Sequence, residues 1–288
     1  MNSCSWDRQC NGCTQGEINK DTNVKKILKQ MDEKYFSRYF LKLRRKLRVI
    51  TETKKIKNSL SFSYSSHYNK NPHSLLSKLC DKYGSDKGEL QPLGNPYSWP
   101  SHTYADYYSE LFDHCRMHIK SVFECGIGTN NPSLISSMGL DGKPGASLRV
   151  WNEYFPNAII IGADIDKDVL FEQGSIQTFY VDQMDSTIIF EMWKNIAIDD
   201  FDLIIDDGLH TFEAGVCFFE NSIKKLSNNG LYIIEDVTVN NRKKFEKYFF
   251  DKKYQVNFVC LFRPEAPVAD NYLIVIRKFI GVDSLDQK

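Results

Sequence analysis

The chain has 288 residues, 37 basic and 37 acidic side chains, and a formal net charge of zero. Hydrophobic residues make up 42% and charged residues 26%, which excludes wholesale disorder and allows one large or two modest globular domains. No run approaches the roughly 20 apolar residues that cross a bilayer, and the opening MNSCSWDRQCNGCTQGE has no apolar stretch after a basic start, so a cytoplasmic protein is expected.

In chain order, the first feature is Cys10-x-x-Cys13 with Cys4 nearby. A structural zinc site takes four ligands, and no matching second pair follows, so a plain tail is expected there. Cys115, Cys125, Cys217 and Cys260 sit among apolar neighbours and read as small core residues. Residues 20–57 then hold 14 Lys/Arg against 4 Asp/Glu, a local charge of +10 that the rest of the chain offsets. Within them Ile27, Leu28, Met31, Tyr35, Tyr39, Leu43 and Leu47 recur at near-helical spacing, which predicts a basic amphipathic helix. Such a helix packs on a neighbour or a second subunit, or makes peripheral contact with an anionic membrane surface. The Ser/Tyr/Asn-rich stretch 59–72 reads as a linker. Residues 1–75 are therefore expected to be a basic helical extension and linker, and residues 76–288 the main domain.

From about residue 118, apolar β-rich runs alternate with helical patterns. The predicted strands are 121–125, 158–164, 176–181, 201–207, 230–236, 254–262 and 271–277. Helices are predicted at 148–155, 186–195, 212–226 and 242–249. Apolar strands separated by helices imply a mostly parallel sheet covered on both faces, and the last two strands, joined by a short loop, imply an antiparallel edge. The expected fold class is α/β, a Rossmann-like sheet of seven strands with an antiparallel edge strand.

In an open α/β sheet, ligands bind outside the carboxyl ends of the strands, and here those ends carry the polar residues. Glu124 precedes the turn Gly126-Ile-Gly128, where glycines let backbone approach a ligand. Asn131 stands where a dinucleotide motif has its third glycine, and an acid before the glycines disfavours a diphosphate. Asp164 ends the second strand, where a carboxylate accepts from ribose hydroxyls. Asp182 and Gln183 end the third, where an adenine edge would lie. Together these describe a nucleoside pocket without a phosphate clamp, which S-adenosylmethionine fits. Asp206-Asp207-Gly-Leu-His210 and Glu235-Asp236 follow the next two strands. Adjacent carboxylates repel and their pKa values rise, and a hard divalent cation relieves that with oxygen ligands. His210 carries an imidazole, a side chain suited to a general base.

The segments ECGIGT, GASLRVWNEYFPNAIIIGADID, VDQMD, IDDGLH and IIEDV resemble class I S-adenosylmethionine-dependent methyltransferases. More narrowly they resemble the metal-dependent sugar O-methyltransferases of macrolide biosynthesis and related surface-polysaccharide enzymes. The lead-in Lys82–Gly88 and His102–Tyr108 resembles the same group, over roughly residues 78–280. The resemblance implies that Glu124, Gly126 and Gly128 hold the methionine part of the cofactor, Asp164 the ribose, and Asp182 and Gln183 the adenine. It adds Thr129, Asp206 and Tyr104 to the cofactor-binding set, with Asp206 supporting the ligand that follows it. It implies Mg2+ or another divalent cation on Asp207, Glu235 and Asp236, and His210 as base. The implied acceptor is a small molecule or glycan, and the implied assembly a homo-oligomer. Competing readings are a cephalosporin-hydroxylase-like enzyme, a methyltransferase for a phosphoramidate or phosphate-like acceptor, and an RNA methyltransferase using the basic helix. The net acidity of residues outside 20–57 argues against nucleic acid on the catalytic face.

Overall fold

A computed structural model describes residues 46–50, 62–67, 70–89, 97, 99–263 and 268–279. Cys4, Cys10, Cys13 and most of the predicted basic helix lie outside these residues; 46–50 are helical. The chain divides into Met1–Lys57 and Asn58–Lys288. No helix among the described residues is long and apolar enough to cross a membrane.

The second unit is built on nine strands: β1 (Phe62–His67), β2 (Ser121–Cys125), β3 (Ile159–Asp164), β4 (Glu172–Gln173), β5 (Ile176–Tyr180), β6 (Phe201–Asp206), β7 (Leu226–Val237), β8 (Tyr254–Leu261) and β9 (Tyr272–Lys278). Among the described residues, six α-helices accompany them: α1 (Leu75–Tyr83), α2 (Tyr104–Phe112), α3 (Ala146–Tyr154), α4 (Ser186–Asn195), α5 (Phe212–Ser222) and α6 (Val239–Phe249). The sheet runs β1-β8-β9-β7-β6-β2-β3-β5-β4. From β2 the chain winds outward through β3 and β5, then returns to lay β6 on the other side of β2. That reversal is the topological switch point at which doubly wound sheets bind ligands.

Three expectations are corrected. The sheet has nine strands rather than seven. Residues 62–67, read as linker, form β1, which runs parallel to β8 in register from Phe62↔Val256 to His67↔Leu261, and this moves the start of the main unit upstream of residue 76. The Ser/Tyr composition resembles a linker because the strand is largely exposed, as an edge can be. The reversed strand β9 is also not an edge: it is antiparallel to both β7 and β8 and lies between them. The antiparallel edge is instead the two-residue β4, paired to β5.

Side-chain alternation along each strand divides the interior in two. Val122, Ile160, Leu203, Ile205 and Ile233 join the aromatic faces of α1–α3, including Tyr108, Trp151 and Phe155. Phe123, Ile161, Ile204, Tyr232 and Ile274 face α4–α6. Period-two alternation in near-continuous apolar strands requires cover on both faces. Helix starts carry the expected caps: Asp185 accepts from Thr187 N and Ile188 N, Thr211 from Ala214 N, and Thr238 from Asn241 N. These caps set where the loops between strand ends and helices stop, and so where the polar residues between them point.

Candidate functional site

The strand ends at the switch point open into a cleft of about 720 Å³, lined among others by Lys87, Gly126, Asp164, Asp182, His210 and Asp236. The glycine turn forms one wall. Gly126 has φ +86°, and a Cβ there would sit 2.0 Å from the Asp207 carbonyl oxygen. Only glycine allows that approach between the ends of β2 and β6. Gly128, at φ +85°, presses on the Met138 side chain.

The other residues of the expected cofactor-binding set are largely engaged with the backbone. Asp164 Oδ2 accepts from Ile127 N and Oδ1 from Asp166 N, both at 2.9 Å. It is buried, and burial raises its pKa above the ordinary carboxylate range. Thr129 donates its hydroxyl to Asp166 and accepts from Asn131 N at 2.9 Å. Asp182 Oδ1 accepts from Met184 N at 2.9 Å. Gln183 accepts from Leu209 N at 2.8 Å and donates to Asp206 Oδ1 at 2.5 Å, so its amide ties two strand-end loops together. Asp206 is buried among these, and burial pushes its carboxyl up to about 7.

Facing this wall is a dense set of charges. Lys87, only 4% exposed, donates from Nζ to Asp207 Oδ2 at 2.6 Å and to Glu235 Oε2 by a shorter contact, and lies 3.4 Å from Glu124 Oε1. Glu124 Oε2 accepts from Trp151 Nε1 at 3.1 Å, and Glu235 Oε1 from the Tyr108 hydroxyl. Burial works against the Lys87 ammonium, but Asp207, Glu235 and Glu124 outweigh it and raise its pKa well above the ordinary value. Burial likewise pushes Glu124 up to about 7 and raises Asp207 and Glu235, against the pull of Lys87. Three carboxylates share one ammonium beside the cleft, which favours a further positive charge there.

Asp236 lies where pairing of β7 with β9 becomes irregular, and takes φ +53°. Bulges beside functional sites re-aim a side chain, and here the carboxylate is aimed at three partners. Oδ1 accepts from the Tyr104 hydroxyl at 2.7 Å and lies 3.6 Å from His102 Nε2; Oδ2 lies 3.8 Å from His210 Nε2. His210 itself has φ +57°, and Thr103, just before α2, has φ +59°. Non-glycine residues in this region cluster at functional sites. His102 stacks on Tyr104 with ring centroids 5.1 Å apart and also meets Asp86 and Asp270. Burial opposes its charge, yet Asp236, Asp270 and Asp86 raise its pKa well above the ordinary value.

Among the described residues two groups offer convergent metal-ligand atoms, Asp207–His210–Asp236 and His102–Asp236–Asp270, each within 4.8 Å. The expected triad is thus brought together in part. Asp207 and Asp236 converge, while both Glu235 oxygens face Lys87 and Tyr108. Two carboxylates beside excess negative charge fit a hard divalent cation. Two further residues of the expected cofactor-binding set have their partners in this wall. Glu124 points from the core face of β2 to Lys87 and Trp151 behind the cleft wall, and Tyr104 lines the cleft and donates to Asp236. Lys87, His102 and Tyr108 belong to the lead-in motifs, whose residue types alone assign no role; Asp270 carried no sequence signal.

No family model matches this chain. It is similar to 8-demethyl-8-alpha-L-rhamnosyl tetracenomycin-C 2'-O-methyltransferase of Streptomyces olivaceus, 29% identical over 187 residues, covering 64% of this chain and 43% of that protein. It is also similar to demethylmacrocin O-methyltransferase of Streptomyces fradiae, 30% identical over 158 residues, covering 53% and 37%. The match spans less than half the length of these relatives. Among solved structures, a methyltransferase of the mycinamycin biosynthetic pathway, in complex with Mg and SAH, is 22% identical with a TM-score of 0.48, over 73% of this chain and 55% of that one.

Proposed function

We propose that this chain is an S-adenosylmethionine-dependent O-methyltransferase acting on a hydroxyl of a sugar or glycan-linked small molecule, with a divalent cation at Asp207 and Asp236. The observation that carries the reading is the meeting, in one cleft at the switch point, of a glycine turn with the Asp207–His210–Asp236 group. The curated relatives, named as O-methyltransferases of rhamnosyl tetracenomycin and demethylmacrocin, support a sugar-bearing acceptor.

In this reading Gly126 and Gly128 admit the methionine part of the cofactor against the backbone. Asp164 meets the ribose from the end of β3, where it lines the cleft. Asp182 lies toward the adenine. When bound, S-adenosylmethionine supplies the sulfonium methyl group, and the cation polarises acceptor oxygens and lowers a hydroxyl pKa. His210 Nε2 takes the acceptor proton. Tyr104 and His102 fix Asp236 from behind, while Lys87 and Tyr108 fix Glu235. Holding acceptor and methyl donor in one frame supplies a large part of the rate.

The test is calorimetric titration of the full chain with S-adenosylhomocysteine, with and without Mg2+. Micromolar binding, followed by methyl transfer to a rhamnosylated or related acceptor that chelation abolishes, is the expected result. Absence of binding in both conditions overturns the reading.

A further inference from the structure

Behind His210 lies a second, smaller feature that the mechanism above does not use. A cavity of about 10 Å³ is lined by Asp206, His210, Thr211, Gly215, Asn241 and Phe245, among others. That is the space of one water molecule, provided polar partners surround it. Two buried side-chain atoms among these residues have no hydrogen-bond partner: Asp206 Oδ2 and His210 Nδ1. An unpartnered buried polar group costs about 1–3 kcal/mol, so two on one water-sized cavity call for a shared solution. The other oxygen of Asp206 is already bonded, and the other ring nitrogen of His210 lies 3.8 Å from a carboxylate. Asp206 Oδ1 accepts from Gln183 Nε2, and His210 Nε2 faces Asp236. The backbone of His210 is held as well, its carbonyl accepting from Asn241 Nδ2 at 3.1 Å.

We propose that Asp206 is a positioning residue for His210, acting through one buried water that accepts from His210 Nδ1–H and donates to Asp206 Oδ2. This rests on His210 serving as base, and adds what sets its tautomer. With the proton held on Nδ1, the Nε2 lone pair faces the cleft and can receive the acceptor proton. A partner on one ring nitrogen selects the state of the other. The preceding Asp of the Asp-Asp pair then has a duty separate from Asp207.

Asp206→Asn discriminates sharply. Gln183 Nε2 donates to the Oδ1 position, so the Asn oxygen must stay there and its NH2 must turn to the cavity. The water then donates to Nδ1, and the ring proton moves to Nε2. Gly215→Ala approaches the same cavity from α5: the added Cβ would lie 3.6 Å from Asp206 Oδ2 and 2.9 Å from Phe245 Cζ, displacing the water while both partners remain. The measurement is a long-range 1H–15N correlation of the uncharged His210 ring, in the full chain with S-adenosylhomocysteine and Mg2+. Wild type should carry the proton on Nδ1, and Asp206→Asn on Nε2. Gly215→Ala should lose the Nδ1 preference, and it decides the matter if Asp206→Asn does not fold. Loss of an orienting carboxylate behind a histidine base costs about 10⁴ in kcat where the contact is direct; across a water, kcat should fall roughly 10- to 100-fold, with acceptor KM and cofactor affinity unchanged. A wild-type Nε2–H tautomer overturns the proposal. So does an unchanged tautomer in either folded variant, even if activity falls. Because the tautomer is read without turnover, its failure is distinct from failure of the methyltransferase reading, which shows as lost cofactor binding.

Discussion

The two walls of the cleft use their polar residues differently. On the glycine-turn side, Asp164, Asp166, Asp182 and Gln183 accept mainly from backbone N–H groups. Each bond there spans from two to 37 positions of sequence. On the β6–β7 side, Asp207, Glu235 and Asp236 are met by Lys87, Tyr108 and Tyr104, more than a hundred positions away. One wall is a set of locally held loops. The other is a charge cluster assembled from the two ends of the unit. A backbone-held wall keeps its shape when one side chain is lost, whereas a cluster of three carboxylates around one ammonium does not.

Lys87→Met therefore has the largest expected effect. It leaves Glu124, Asp207 and Glu235 buried without their cation, and breaking a buried pair this way costs about 3–5 kcal/mol. Urea unfolding should show that loss, and the double variant Lys87→Met/Glu235→Gln should recover part of it. A single variant as stable as wild type would erase the contrast between the walls. His210→Ala comes next, on activity rather than folding. Turnover should fall on the order of 10²–10⁴ while calorimetry shows unchanged S-adenosylhomocysteine binding, because His210 stands on the charged wall.

The same contrast explains how much was legible beforehand. The strands β2, β3, β5 and β6 and their polar ends follow from local pattern, because apolar runs bounded by glycine or carboxylate mark both a buried parallel strand and its functional end. Edge strand β1 was missed because an exposed Ser/Tyr strand has no alternation to distinguish it from a linker. Asp207, His210 and Asp236 were legible as a group, but the commitment of Glu235 to Lys87 was not, since no local rule connects positions 148 apart. Nor does the sequence disclose the positive φ of His210 and Asp236, which only the packed loops impose.

A third effect is pH-dependent. Burial would raise the Asp86 carboxyl, but the hydrogen bond and charge of His102, with Lys87 and Trp99, outweigh it and hold it at about 2. An acid whose folded pKa is depressed contributes stability that is present above its unfolded value near 4 and lost as pH falls through about 2. Asp86→Asn should thus be less stable than wild type at neutral pH, by on the order of 2 kcal/mol for a depression of this size. The gap should close as pH falls from about 4 to about 2 in unfolding curves. A gap independent of pH would mean that the charge of Asp86 contributes nothing.

The smallest effects separate two neighbours, Asp182 and Gln183, on the backbone-held wall. Gln183 spends its amide on Leu209 N and Asp206, so Gln183→Ala removes one buried and one part-buried hydrogen bond. It should cost about 1–3 kcal/mol of stability. Asp182 holds only the adjacent Met184 N and lines the cleft. Asp182→Ala should leave unfolding almost unchanged and weaken S-adenosylhomocysteine by roughly tenfold, the equivalent of one hydrogen bond of about 1.4 kcal/mol. Reversed results would mean that Gln183 turns to the ligand when the cofactor enters, releasing Asp206 and Leu209. The loop joining the two walls would then be a moving part, and the division between a rigid wall and a charged one would hold only for the free protein.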